Sequence, residues 1–504
     1  MKKLILMIVA LFALANFGYS QQLDADKIVK MPVAEDPTIA FRILLNVGSQ
    51  NDPPGKEGLA ALTASLLTEG ATQHHSYEEI LELLYPVASS ISSQVDKEVT
   101  VIYGRTHRDN LGTYYNLLKE VLLQPAFTEA DFQRVKTNTL NYVQKSLRYS
   151  QDEELGKEVL YEFIFAGTSY RHNEEGHVAG LNSITLEDVK TFYQIFYTQS
   201  NLTVGLGGSF EKALVEKVQD DFSELPKGKP GNIAPPQPNP IDGFEIRIVE
   251  KDANATAISF GFPIDVQRGS REFYALAIVT SWLGEHRNSS SHLFQVIRGK
   301  RGLNYGDYAY IEHFPLGYAR SFPPPNVPRR QQIFQVWIRP VPNEARVFAF
   351  RAALRELQNL VDNGMSKETF ELTRKFLKNY TLNYAPTTTS QLGYALDDRF
   401  YNIDGHHWKI FRKLLDEITL EEVNTAIKKH FQYKNIKAVF ITNEAEALKE
   451  ALVSNAPSPI TYESEKPAAI LEEDKEISTY PLTVKPENVT IITVDEVFEG
   501  EMGS

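Results

Sequence analysis

The feature that most constrains this chain of 504 residues is an internal repeat, because a pattern written twice predicts two similar halves. Residues 184–191 read ITLEDVKT and residues 418–425 read ITLEEVNT, so six of eight positions are identical. An upstream match has nearly the same offset and pairs Phe132, Asn141 and Tyr142 with Phe370, Asn379 and Tyr380. Two matches in the same order indicate a duplication rather than chance.

Each half mixes strand and helix signals. Segments rich in β-branched and aromatic residues predict strands at 39–47, 99–103 and 257–262. Apolar residues recur with helical spacing at 114–122 and at 350–361. A threonine followed by acidic residues predicts a capped helix start at Thr185 and at Thr419. We therefore expect an α+β fold of two homologous lobes, with mostly antiparallel sheets and packed helices.

The two lobes are expected to be joined by a linker in a clamshell-like arrangement. Residues 226–243 carry six prolines and three glycines, which predicts a stiff, extended segment. The predicted organisation is a signal peptide at 1–20, a first lobe at 21–225, the linker at 226–243, a second lobe at 244–455 and a tail at 456–504. Within the tail only 489–498 has the pattern of a strand, so we expect the tail to lie over the second lobe or to be partly mobile.

The first twenty residues have the pattern of a bacterial secretory signal. Lys2 and Lys3 precede an apolar run over 4–15, and Gly18 and Ser20 are the small residues typical of a cleavage site. The alternative is a short membrane anchor, but the run is short for a hydrocarbon layer of about 30 Å. We therefore expect a periplasmic or otherwise exported protein with no membrane span after signal removal.

Charge and cysteine content argue against two classes of protein. The net charge is −13 and the pI is near 5.5, so the basic footprint that nucleic-acid binding usually leaves is missing. Cysteine is absent, so an exported protein of this size has no disulfides and is held together by burial alone. Any zinc ligands in this chain would have to be histidines and carboxylates.

One segment of the first half resembles a known peptidase family. Residues 48–60 read GSQNDPPGKEGLA, and the apolar run after them ends in TEGAT at 68–72. This resembles the approach to the active-site helix in the insulinase–pitrilysin–mitochondrial processing peptidase family, the M16 type. Residues 182–197 and 291–310 are also similar to that family, and the resemblance extends over about 35–455. It implies a two-lobed peptidase scaffold.

The resemblance also implies that the zinc site is lost. Family peptidases carry H-x-x-E-H on this helix, where two histidines one turn apart hold zinc and the glutamate activates water. Here Ala61 and Ser65 stand at the ligand positions, Ala64 stands at the base position, and Asn141 stands at the third-ligand position. We therefore expect no intact catalytic residue and no metal in this chain. Ser65 as a new nucleophile is an alternative, but no histidine or lysine base lies near it in sequence.

Other histidines do not rebuild a site. His74 and His75 are adjacent, so on a helix they point about 100° apart and cannot chelate together. His172 and His177 flank a polar stretch that we expect to be a loop, with both side chains at the surface.

The second half resembles the family where it contributes to substrate binding. Residues 291–305 read SHLFQVIRGKRGLNY, and in the family an arginine and a tyrosine seven residues later face the catalytic centre of the opposite lobe. These map onto Arg298 and Tyr305, although Gly299 replaces a residue that is often acidic. The alternative is that Arg298 pairs with a surface carboxylate and Tyr305 packs in a sheet.

Some members of the family divide the labour between two chains, one with zinc and the other with the Arg/Tyr pair. The resemblance therefore implies a non-catalytic, substrate-binding subunit whose partners are a zinc-bearing homologue and unfolded peptides. One alternative is a non-enzymatic peptide-binding or assembly protein on a peptidase scaffold. The other is an autonomous peptidase with a relocated site, against which the missing ligands argue.

Overall fold

The computed structural model describes residues 22–315 and 322–500, so the predicted signal peptide lies outside the described residues. The chain forms two β-sheets, of five and six strands, each packed with helices. Most neighbouring strands are antiparallel, which confirms the expected α+β class. No helix within the described ranges is long and apolar enough to cross a membrane.

The first sheet has the strand order β1-β5-β2-β4-β3. Its strands are β1 Ile28–Pro32, β2 Thr38–Leu45, β3 Ser90–Val95, β4 Thr100–His107 and β5 Leu202–Gly208. Strands β1 and β5 pair in parallel, and the other neighbours pair antiparallel. The strands predicted at 39–47 and 99–103 correspond to β2 and β4.

The second sheet has the order β11-β6-β10-β7-β9-β8. Its strands are β6 Phe244–Glu250, β7 Ala255–Ile264, β8 Asp307–Tyr310, β9 Gln332–Pro342, β10 Ile436–Thr442 and β11 Val489–Thr493. Without β11, this order repeats the first sheet strand for strand, and the parallel pair β6–β10 takes the place of β1–β5. The duplication inferred from the sequence is therefore a duplication of one sheet topology.

Helices cover both sheets, and their starts follow the predicted caps. In chain order they are α1 Leu59–Thr68, α2 Tyr77–Leu84, α3 Leu111–Leu123, α4 Glu129–Asn141, α5 Asp152–Phe165, α6 Val178–Ser183, α7 Leu186–Phe196, α8 Lys212–Phe222, α9 Arg271–Gly284, α10 Arg346–Asn363, α11 Lys367–Tyr380, α12 Thr388–Phe400, α13 His407–Glu417, α14 Leu420–His430, α15 Ala445–Ser454 and α16 Ala468–Ser478. Two π-helical turns are Tyr142–Leu147 and Phe294–Gly299. Thr185 and Thr419 each accept a hydrogen bond from the backbone N–H three residues on, which caps α7 and α14.

The lobes exchange one helix each. Helix α5 of the first lobe packs on β7, β9 and β10 of the second sheet, where Gly156 allows close approach to Ser259 and Ile441. Helix α12 of the second lobe packs on β1, β2 and β5 of the first sheet. There Leu392 fills the space over Gly205 and Gly207, where a Cβ would lie about 3.1–3.4 Å from its side chain. This reciprocal packing fixes the two lobes against each other.

The linker and the tail differ in how they are held. Residues 226–243 run between α8 and β6 without helix or strand. The tail instead supplies α16 and β11 to the second lobe, so its predicted strand is present over a shorter range. Beyond β11 the chain leaves the second lobe, and Val497 and Phe498 are buried in the core of the first. The tail therefore connects both lobes rather than lying over the second alone.

Candidate functional site

The structure places Ala61, Ala64 and Ser65, which stand where the family has its zinc motif, on helix α1. The helix begins after Gly58, whose φ of 103° is in the left-handed region that favours glycine. The Asp52 carboxylate accepts hydrogen bonds from the backbone N–H groups of Gly58 at 2.7 Å and Ala60 at 2.8 Å. Burial raises the pKa of Asp52 to about 8. Ala61 and Ser65 then lie one turn apart on the same face, while Ala64 is fully buried.

Ala61 and Ser65 face a cavity of about 230 Å³ that both lobes enclose. The first lobe contributes Ala61, Ser65, Ser93, Gln94, Val95, Asp96, Tyr142, Leu147, Glu154, Glu158, Asn173, Glu174 and Glu175. The second lobe contributes His313, Pro315 and Val327, which come from the segment between β8 and β9. The position of the family's active site is thus covered by the second lobe of the same chain.

Asn141 does not face this cavity. It is exposed at the end of α4, and the next residue, Tyr142, lines the cavity instead. The helix widens into a π-helical turn at Tyr142, which changes the direction in which successive side chains point. The third-ligand position predicted from spacing therefore lies one residue away from the residue that reaches the cavity.

The carboxyl groups around the cavity do not form a metal site. No group of three His, Cys, Asp or Glu side chains in residues 22–315 and 322–500 has a geometry that could hold a metal ion. The α1 side chains that face the cavity are a methyl and a hydroxyl, which do not fit a zinc-binding role. No hydrogen bond joins the Ser65 hydroxyl to a histidine in the described part of the chain, so the arrangement of a nucleophile with its base is also missing.

The carboxyl groups around the cavity fall into two kinds, according to whether their pKa is raised or lowered. Burial raises the pKa in the first kind. It raises the pKa of Glu158 to about 8 and that of Glu175 to about 7, and in both cases the charge of Glu174 adds to the effect. At Glu174 burial acts in the same direction, but nearby Lys97 and Arg329 prevail and lower its pKa to about 2. At pH 7 the cavity therefore combines an ionised Glu174 with a mostly protonated Glu158 and a partly protonated Glu175.

Arg329 of the second lobe contacts two carboxylates that line the cavity, Asp96 and Glu174. Its guanidinium is almost fully buried and donates to both carboxylate oxygens of Asp96, through Nε at 2.7 Å and Nη2 at 3.0 Å. Nη2 also lies 2.9 Å from Oε1 of Glu174, which Lys97 Nζ approaches at the same distance. This bidentate contact between lobes is the kind in which arginine outperforms lysine.

The prediction that His172 and His177 are surface residues is wrong. Each is 1% exposed. His177 Nε2 lies 2.9 Å from Oε1 of Glu162, and the same oxygen accepts a hydrogen bond from the backbone N–H of Asn173 at 2.9 Å. The polar segment between the histidines can be buried because the Glu162 carboxylate is a hydrogen-bond partner for both the Asn173 N–H and His177.

Arg298 and Tyr305 lie together on the outside of the second lobe. The guanidinium carbon of Arg298 is 4.9 Å from the centroid of the Tyr305 ring, and Tyr305 is 75% exposed. The turn between them needs Gly302, whose φ is 74°. Within the described ranges Arg298 has no carboxylate partner, and its one polar contact is from Nη1 to the Gly302 carbonyl at 3.5 Å. The alternative of a surface ion pair and a sheet-packed tyrosine is therefore not what the structure contains.

Comparison with known proteins identifies the scaffold. Residues 29–176 match the sequence profile of the insulinases, peptidase family M16, and residues 183–377 match that of the peptidase M16 inactive domain. The chain belongs to the insulinase family. Within that family it is a non-catalytic member, since it lacks the zinc-binding motif and its relatives include a protein named as a non-peptidase homologue.

Individual relatives agree with this assignment. The chain is 22% identical over 415 residues to the "Non-peptidase homolog YmxG" of Helicobacter pylori, which covers 81% of this chain and 88% of that protein. It is 20% identical over 288 residues to the "Uncharacterized zinc protease YmxG" of Bacillus subtilis, covering 56% of this chain and 68% of that protein. The structure of a peptidase M16 inactive domain from Pseudomonas fluorescens superimposes with a TM-score of 0.71 at 21% identity, covering 84% of this chain and 97% of that one.

Several cavity residues of this insulinase-family chain could not be found from its sequence. Tyr142, Glu158 and Glu175 carry no motif, and each reaches the cavity only through the packing of distant elements. Arg329, which contacts Asp96 at the cavity wall, carries no motif either. The adjacent arginines at 329 and 330 were the one local signal, since an Arg-Arg pair before a buried strand needs anionic partners.

Proposed function

We propose that this chain is the non-catalytic, substrate-binding subunit of an exported two-chain metallopeptidase of the insulinase family. In this proposal it supplies Arg298 and Tyr305 to the active site of a zinc-bearing homologue that cleaves unfolded peptides. The observation that carries the proposal is that this stacked pair is exposed, while the chain's own α1 site has lost its ligands and is covered.

The chemistry of the pair suits that role. A guanidinium presents a rigid fork of N–H donors, which can hold a peptide carbonyl in place. A phenol hydroxyl can donate a hydrogen bond to the oxyanion that develops when water attacks that carbonyl. Water activation is left to the homologue, because nothing at α1 of this chain can supply it.

The packing between lobes supports a second chain. Helices α5 and α12 are each buried on the other lobe's sheet, and Arg329 joins the lobes through a desolvated contact with Asp96. Separating the lobes to admit a peptide would expose these surfaces together. A chamber formed between this chain and a homologue avoids that cost and leaves Arg298 and Tyr305 facing outward.

The test is reconstitution. The isolated chain and an isolated zinc-bearing homologue should each leave a flexible peptide intact, and their mixture should cleave it. Size-exclusion chromatography should show that the two chains elute together. Full activity of the homologue alone would contradict the proposal. Export is tested separately by mass spectrometry of the native protein, which should begin at Gln21 rather than at Met1.

A second candidate is a non-enzymatic peptide-binding or assembly protein on the same scaffold. It is favoured by a likeness to a chain in the structure titled "Complex III2 from Candida albicans, Inz-5 bound", with a TM-score of 0.65 at 13% identity, covering 82% of this chain and 93% of that one. That candidate predicts a stable complex without hydrolysis, so the reconstitution separates the two.

A further inference from the structure

The Arg298–Tyr305 segment has few contacts of its own. Arg298 makes a single long hydrogen bond, and the Tyr305 hydroxyl has no partner within the described part of the chain. Such side chains occupy a defined position only if the backbone that carries them is held. The question is therefore what fixes the backbone between the two residues.

Arg301, in the middle of this segment, is the residue that fixes it. In contrast to its neighbours it is 3% exposed, and its Nη1 donates to the carbonyl of Val296 at 2.7 Å. That bond connects the Arg301 side chain to the backbone of the π-helical turn Phe294–Gly299. An arginine buried in this way needs anionic partners, since an unpaired buried charge is strongly unfavourable.

Both anionic partners of Arg301 come from the C-terminal tail. Its Nε donates to Asp474 Oδ1 at 2.7 Å, and its Nη2 lies 2.9 Å from Glu473 Oε2. These carboxylates belong to α16, about 170 residues away in sequence. The Tyr462 hydroxyl donates to the second oxygen of Asp474 at 2.7 Å, which orients that carboxylate.

The tail adds two contacts to the same turn. The Lys466 ammonium donates to the backbone carbonyl of Lys300 at 3.1 Å, and the Lys300 ammonium lies 3.3 Å from Glu473. The carbonyl and the side chain of Lys300 are thus both tied to the tail. The tail therefore holds the middle of the segment that presents Arg298 and Tyr305, in addition to the core packing of Val296 and Ile297 before it.

The tail itself cannot easily shift. Downstream of α16 it pairs with β6 as strand β11, and it then enters the first lobe. There the carbonyl of Val497 accepts a hydrogen bond from Arg148 Nε at 2.7 Å, and that of Phe498 accepts one from the N–H of Val178 at 2.8 Å. Helix α16 is therefore anchored through its own chain to both lobes.

We propose that the C-terminal tail is a positioning element for the Arg298–Tyr305 pair, acting through Arg301 with Glu473 and Asp474. The inference rests on the proposed function for the use of the pair, but the positioning itself does not depend on a partner. Neither family profile reaches the tail, since the second one ends at residue 377.

The test combines two measurements on the full chain. The variant Glu473→Gln/Asp474→Asn keeps the shape of both side chains but removes the charges that hold Arg301. Hydrogen–deuterium exchange over residues 296–306 should become about tenfold faster or more in the isolated variant, with exchange in the first sheet unchanged. The control Glu472→Gln removes a charge on the same helix whose partner is the exposed Lys475, and it should leave exchange unaltered.

In the mixture with a zinc-bearing homologue, the same double variant should lower kcat through Tyr305 and raise KM through Arg298, while co-elution stays near that of the unmodified chain. Unchanged exchange over 296–306 in a folded double variant would overturn the positioning role. Faster exchange with unchanged kcat would support the positioning role and contradict the catalytic use of the pair. If the double variant does not fold, Tyr462→Phe removes only the orienting hydroxyl, and it must still accelerate exchange in this segment for the proposal to stand.

Discussion

In the first lobe, helix α1 stands where the family has its zinc motif, and it faces a cavity covered by the second lobe. In the second lobe, by contrast, the Arg298–Tyr305 pair lies on the outer surface. Both lobes have the same strand order, so the difference does not come from topology. It comes from what covers each site. His313, Pro315 and Val327 of the second lobe line the first, whereas in the described ranges the ring of Tyr305 is left 75% exposed.

This difference shows which structural constraint a peptidase lobe loses when its zinc ligands are replaced. A catalytic zinc site needs an open coordination position and a path for substrate. With Ala61 and Ser65 in place of histidines, that constraint is lifted, and a desolvated Arg329–Asp96 contact can join the two lobes beside the cavity. The second lobe has an exposed pair, which under the proposed function is where the surface of a homologue would reach it.

The largest effect is expected from opening the covered site. Arg329→Met leaves Asp96 and Glu174 buried with less compensating charge, because Arg329 bonds both carboxylates. We expect a loss of about 3–5 kcal/mol in the free energy of unfolding, the usual cost of breaking a buried pair. Urea unfolding monitored by circular dichroism measures it.

The matched control is Arg108→Met. Arg108 is exposed and lies 4.0 Å from Asp109, so its removal should change stability by about 0.5 kcal/mol or less. Equal losses in the two variants would mean that the contact between Arg329 and Asp96 does not hold the lobes together.

The second largest effect is expected at the exposed Arg298–Tyr305 pair of the second lobe. Tyr305→Phe removes one hydroxyl from an exposed ring and keeps the stacking with Arg298, so stability should barely change. In the reconstituted pair kcat should fall by about 10²-fold, equivalent to about 2.7 kcal/mol of barrier, if this donor serves the oxyanion. Arg298→Lys keeps the charge and loses the fork, so it should act mainly through KM.

Tyr85→Phe is the control for this pair of variants, because Tyr85 is a tyrosine of the first lobe that is 87% exposed. It should leave kcat, KM and co-elution unchanged. Full activity of both Tyr305→Phe and Arg298→Lys in an intact complex would contradict the catalytic role and favour the assembly protein.

The sequence could predict those parts of the molecule that depend on local pattern. The caps at Thr185 and Thr419, the strands β2, β4 and β7 and the duplication all follow from short segments, and the structure contains them. Ala61 and Ser65 face the cavity because a helix places residues four apart on one side.

The rest depends on contacts between distant segments. Arg329 and Asp96 are 233 residues apart, and no spacing rule connects them. His172 and His177 are expected at the surface because the stretch between them is polar, and the buried Glu162 that binds His177 lies outside that stretch. Asn141 is placed by counting along the sequence from the first motif, and Tyr142, one residue on, lines the cavity instead.

A third prediction concerns protons in the covered site. Burial raises the pKa of Glu175 from 4.5 to about 7, so the folded chain binds a proton more tightly than the unfolded chain between these values. Stability should therefore fall as pH rises from about 4.5 to about 7 and then level off. The change from this group is at most about 3.4 kcal/mol, and we expect roughly 2 kcal/mol because Glu175 is partly exposed.

Glu175→Gln should flatten that part of the profile, making the variant more stable than the unmodified chain at pH 8 and about equal at pH 4. Unfolding by urea at a series of pH values measures the difference. The exposed Glu187→Gln is the control and should leave the profile unchanged. An unaltered slope in the Glu175 variant would show that the cavity is wet enough to ionise this carboxyl freely.

The smallest effect tests whether the two lobes remain equivalent where their sequences still agree. Thr185 caps α7 and Thr419 caps α14, and in each case the carboxylate of the acidic residue three positions on accepts a hydrogen bond from the threonine N–H, at 2.8 Å in both lobes. Thr185→Ala and Thr419→Ala should therefore each lower stability by about 1 kcal/mol, because each leaves the same backbone donor without its side-chain acceptor. Serine at either position retains the hydroxyl and should restore most of the loss in urea unfolding. A cost at one cap and none at the other would mean that the lobes have diverged even in these helix starts, so that the contrast between the covered and the exposed site extends to the scaffold itself.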